Sequence, residues 1–133
     1  NRSDLIRIPE YMPGKEVHTR IEYRSPDPAC NPYLVFAAML AAGLDGIENE
    51  RPLPPPVEEN VFEMTDAERA ARGIETLPGS LIEAIEEAEK CSLLRSALGD
   101  HVFESLIKNK RIEWERYRRH VSDFELAEYL PIL

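Results

Sequence analysis

Four arginines fall within the first 24 residues, Arg2, Arg7, Arg20 and Arg24, and the last two flank a glutamate at even spacing in Arg20-Ile-Glu-Tyr-Arg24. Guanidinium groups bind phosphate and carboxylate oxygens through paired N–H donors and stay charged at any working pH. A carboxylate set between two of them, here Glu22, is either their ion-pair partner or a ligand for a hard cation. Mg²⁺ takes one or two carboxylates together with substrate phosphates. Cations placed around a metal-bound carboxylate are the parts that stabilise phosphoryl transfer. The same spacing also fits a solvated sheet face whose exposed ion pairs contribute about 0–1 kcal/mol each. Composition and spacing alone do not raise the first reading above the second.

The elements that must position these groups are short and β-like. Residues 4–9 predict a strand stopped by Pro9, and 17–24 predict a second one of strong β-propensity. Met12-Pro-Gly-Lys15 supplies a turn signal between them. At period 2, His18, Arg20, Glu22 and Arg24 share one face of the second strand, whereas the long connection leaves the register open. A lone two-stranded hairpin is marginal in water, so these strands are expected to join a larger sheet.

The rest of the chain predicts helices. Asn31 and Pro32 read as N-cap and first helical residue of a helix over 32–46, apolar on all sides, which predicts burial on all sides; Gly43 and Gly46 are its expected stop. Residues 48–60 form a proline-rich, exposed connector. Three further starts are marked by Thr65–Glu68, Ser80–Glu83 and Ser122–Glu125, each with the spacing of a capping box. Gly99-Asp100 opens the longest helix, in which Val102, Phe103, Leu106, Ile107 and Ile112 are interleaved with charge. The expected class is α+β, predominantly α: an N-terminal strand pair over 1–24, then about five helices, the region 65–133 being helical, in one domain.

Charge and cysteine usage exclude several functions. The 133 residues carry a net charge of −9, against bulk nucleic-acid binding. Residues 1–24 hold five basic against four acidic side chains, +1, which leaves −10 for residues 25–133; an anion site belongs in the first stretch. Cys30 and Cys91 form no disulfide framework and fit a reducing, cytoplasmic setting. The apolar run Tyr33 to Leu44 is shorter than the roughly 20 residues of a membrane span. His18, His101 and His120 lack zinc-type spacing, and His18 and Trp114 read as structural residues. The opening on Asn1 reads like a piece of a longer protein.

Several ordered blocks carry a resemblance. Asn1-Arg-Ser3, Ile6-Arg-Ile-Pro9, Arg20-Ile-Glu-Tyr-Arg24, Pro26-Asp-Pro-Ala29, Asn31-Pro-Tyr-Leu34 and the helix 37–47 resemble the C-terminal part of the glutamine synthetase catalytic domain, of the prokaryotic type I. The likeness is dense over 1–47 and looser beyond. It implies an ATP-dependent ligase that joins ammonia to glutamate through γ-glutamyl phosphate. It also implies site roles: Arg2 on the transferred phosphoryl group and the intermediate, Arg7 and Arg20 on ATP, Arg24 (with Arg2) on substrate glutamate, and Glu22 as ligand of Mg²⁺ or Mn²⁺. The family's other metal ligands lie on strands outside this chain, so residues 1–133 alone are expected to be inactive. The resemblance further implies a homo-dodecamer whose apolar C-terminal tail, 129–133, bridges two rings. Phe62 stands where one branch carries an adenylylated tyrosine, so that modification is not expected. A γ-glutamyl-polyamine ligase of the same fold, or a non-enzymatic helical interaction module, remain alternatives.

Overall fold

The computed structural model describes residues 5–132. Among them are two short strands, six α-helices and three 3₁₀ turns, in two compact units, Asn1–Thr76 and Leu77–Leu133. The helix that Thr65 starts belongs with the first unit, and no regular element crosses the stretch after it.

In the first unit, β1 (Ile6–Arg7) pairs antiparallel with β2 (Glu22–Tyr23) in the register Ile6↔Tyr23, Arg7↔Glu22. One more backbone bond, Arg24 N–H to Leu5 carbonyl at 2.8 Å, extends the ladder. Both strands are shorter than expected because the chain between them curls. Gly14 sits at φ +80°, where a Cβ would be strained. The Glu16 carboxylate accepts from Gly14 N–H at 2.9 Å and Tyr11 O–H at 3.1 Å. Residues Glu16–His18 then close a 3₁₀ turn rather than extending a strand.

Helix α1 (Pro32–Glu48) starts as its sequence dictates, Asn31 Oδ1 accepting from the N–H of Tyr33 and Leu34. Its end differs from expectation. Neither Gly43 nor Gly46 has positive φ, and the helix runs through both. It stops at Asn49, whose Nδ2 donates to the Asp45 carbonyl and carboxylate, while Glu50 takes the left-handed turn at φ 45°. The expected all-round burial is also not found: no α1 residue is buried. Tyr33, Phe36, Leu40, Leu44 and Ile47 form an exposed stripe at helical spacing. The physical reason is a shortage of partners. The other regular elements of this unit are two-residue strands, 3₁₀ turns and a six-residue helix, none with the area to cover a 17-residue apolar helix.

After Glu50 the connector is irregular and exposed except at half-buried Val57. Beyond it, α2 (Asp66–Ala71) has the complete Thr65–Glu68 capping box. It ends in a Schellman pattern at Gly73 (φ +66°), with Gly73 N–H on the Ala70 carbonyl and Ile74 N–H on that of Arg69.

The second unit carries the only buried apolar residues among those described. Helix α5 (Asp100–Tyr117) packs on α3 (Leu81–Lys90) and α4 (Ser92–Leu98) around Phe103, 1% exposed, and Ile85, 3% exposed. Val102 and Ile112 fall off the packed face and are exposed. Arg95 lies 4.4 Å above the Phe103 ring and donates to Asp100 and Glu104, and Arg111 grips Glu89 through two nitrogens, tying α5 to both neighbours. The Ser80–Glu83 box is half made: Ser80 accepts from Glu83 N–H, but the Glu83 carboxylate takes Gly79 N–H instead. Helix α4 is a sixth helix that the sequence reading lacks. The last helix, α6 (Asp123–Tyr129), has its full Ser122–Glu125 box. Cys30 and Cys91 are free thiols. No helix among the described residues is long and apolar enough to cross a membrane.

With so small a core, Phe103 is decisive for the second unit. Phe103→Ala is expected to destabilise it by about 3–5 kcal/mol, read as a lower urea midpoint followed by far-ultraviolet circular dichroism.

Candidate functional site

The register of the hairpin builds the site. Arg20, Glu22 and Arg24 stand two residues apart and share a face, and Arg7 lies directly across from Glu22. All three guanidiniums meet one carboxylate. Arg7 Nη1 is 3.0 Å from Glu22 Oε2 and 3.1 Å from Oε1. Arg20 Nη2 donates to Oε1 at 3.0 Å, and Arg24 Nη2 to Oε2 at 3.3 Å. Among the described residues three cations converge on one anion, in a chain whose net charge is −9.

The carboxylate is the least exposed member. The Glu22 side chain is 28% exposed, against 40%, 57% and 34% for those of Arg7, Arg20 and Arg24. The hydrogen bond from Arg7 first, then those from Arg24 and Arg20, holds the Glu22 carboxyl below the usual glutamate range, against partial desolvation, which acts the other way. Chemically, the cluster is a solvent-reachable concentration of positive charge that presents planar donors to an anion.

Comparison with known proteins decides what this arrangement belongs to. The sequence profile of the glutamine synthetase catalytic domain matches residues 1–129. The chain is 52% identical over 132 residues to a glutamine synthetase of Mycolicibacterium smegmatis, covering 99% of this chain and 30% of that protein. It is 50% identical over 132 residues to the glutamine synthetase of Mycobacterium tuberculosis, again 99% and 30%. The Thermotoga maritima glutamine synthetase is 52% identical over 130 residues, covering 98% of this chain and 29% of that protein. This chain belongs to the glutamine synthetase family. It spans about 30% of the length of these relatives.

Within that glutamine synthetase segment the structure treats the expected site residues differently. It brings Arg7, Arg20, Arg24 and Glu22 together; Arg2 lies outside the described residues. His18 shares no strand face with them, because the 3₁₀ turn takes it out of β2; only its carbonyl takes part, accepting from Arg20 Nη1 at 3.2 Å. The contact of Arg7 with Glu22 is the one feature that period-2 reasoning could not supply, since it depends on the register.

The hard-oxygen carboxylate of Glu22 suits Mg²⁺ or Mn²⁺ as one ligand. Among the described residues no group of three His, Cys, Asp or Glu side chains could hold a metal ion, so these residues fit one corner of a metal site and do not complete it.

A depressed Glu22 pKa fixes the sign of the pH response. The ion cluster stabilises the folded hairpin above the unfolded-chain value and is lost as pH falls through the lower folded value. The side-chain carboxyl ¹³C signal of Glu22, followed in an acid titration, is expected to show a midpoint below that of a solvated glutamate; a midpoint at or above it would remove the arginine contacts from the account.

Proposed function

We propose that this chain supplies the cationic part of the phosphoryl-transfer site of an ATP-dependent glutamate–ammonia ligase, which makes glutamine through γ-glutamyl phosphate in the cytoplasm. The observation that carries the reading is the gathering of three guanidiniums on Glu22, on a segment within the family match. Joining ATP to a carboxylate substrate brings two anions together. Fixed cations make that approach tolerable and stabilise the charge that spreads over the transferred group. In this reading Arg7 and Arg20 hold the nucleotide phosphates, and Arg24 holds the carboxylate of glutamate. Arg2 contacts the transferred phosphoryl group and helps bind glutamate. Glu22 is one ligand of Mg²⁺ or Mn²⁺, which when bound neutralises phosphate charge; its further ligands come from outside the described residues. The relatives' name, glutamine synthetase, supports ammonia over a polyamine as the amine acceptor.

The arginine roles separate kinetically in the full-length protein. Arg20→Ala removes a ground-state phosphate contact and is expected to raise KM for ATP. Arg2→Lys keeps the charge but loses the planar fork, and kcat is expected to fall by roughly 10²–10³-fold, the scale of losing one transition-state donor. Steady-state assays of glutamine formation check both; near-normal turnover by Arg2→Lys would remove Arg2 from the chemistry.

A further inference from the structure

The hold of each arginine on Glu22 is exchangeable. Arg7, Arg20 and Arg24 each reach Glu22 through a single terminal nitrogen, not through the paired fork that gives a guanidinium its strongest grip on a carboxylate or phosphate. One carboxylate with a single charge is shared among three cations, and all three are more exposed than it is. A polyphosphate offers more charge and more acceptor oxygens than Glu22, and it arrives from the solvent side, where the guanidiniums are accessible. Both Glu22 oxygens are meanwhile occupied by arginine donors, so the carboxylate and an incoming phosphate compete for the same N–H groups.

We propose that Glu22 is an internal surrogate for the ligand anion: it keeps Arg7, Arg20 and Arg24 assembled while phosphates are absent, and it must yield Arg7 and Arg20 when a polyphosphate binds. The inference rests on the phosphate-binding reading above and adds a device to it. The surrogate pre-organises three mutually repelling cations, at the cost of weakened binding in the absence of a cation on Glu22. Its carboxylate becomes available to a hard cation only when the arginines leave it. The site therefore resists filling by anions alone.

The test is calorimetric binding of inorganic triphosphate to the full-length protein in the presence of a chelator, so that no divalent cation takes part. Glu22→Gln keeps the shape and removes the competing charge; it is expected to bind triphosphate about tenfold more tightly than the unmodified protein, the scale of one charge-assisted hydrogen bond relinquished on binding. Arg20→Ala should weaken binding in both backgrounds. Glu22→Asp, which keeps the charge but withdraws it by one methylene, should fall between wild type and Glu22→Gln, and it carries the test if Glu22→Gln lacks a native circular dichroism spectrum. Equal or weaker binding by folded Glu22→Gln, or by Glu22→Asp in its place, overturns the surrogate role while leaving the phosphate site intact. Absence of triphosphate binding in wild type and every variant overturns the phosphate site itself.

Discussion

Repulsion among three arginines is the constraint on which the hairpin depends. Arg7, Arg20 and Arg24 gather on one small sheet face, and Glu22 is the anion that all three share. The two-residue strands contribute little by themselves. The carboxylate crosslinks β1 to β2 through Arg7 and braces β2 along its length through Arg20 and Arg24. On the proposed reading, a structural ion pair and a ligand-binding site are the same atoms. Whatever displaces Glu22 from its arginines must replace the charge it supplied.

The rest of the first unit explains why this arrangement is exposed rather than entombed. Its polypeptide is committed to caps and turns: Asn31 on α1, Glu16 within the 10–18 curl, Asn49 and Arg51 on Asp45, and the box at Thr65. These fix local geometry without burying area. The apolar stripe of α1 stays open for the same reason. The second unit is built differently, with an aromatic side chain enclosed by three helices and ion pairs around its rim.

What was legible in the sequence divides along physical range. Interactions spanning three or four residues read correctly: the boxes at Thr65 and Ser122 and the Asn31–Pro32 start depend only on neighbours. The face shared by Arg20, Glu22 and Arg24 is equally local. The pairing of Arg7 with Glu22 is not, because it is set by how the fourteen intervening residues curl, to which Glu16 contributes contacts invisible to periodicity. Helix α4 was missed since its N-cap is Cys91, whose sulfur accepts from Leu94 N–H at 3.4 Å in place of an ordinary oxygen cap. Gly43 and Gly46 misled because glycine permits a helix end without requiring one. Family membership added the chemistry that neither spacing nor geometry names.

The central claim is that these arginines exchange one anion, Glu22, for another, the phosphates of a nucleotide. An experimental structure of the full-length protein with ADP and Mn²⁺ tests it most directly. The account predicts phosphate oxygens within hydrogen-bond distance of Arg7 and Arg20, with Glu22 released from them and turned to the metal. Nucleotide phosphates bound elsewhere, with all three arginines still on Glu22, would contradict it.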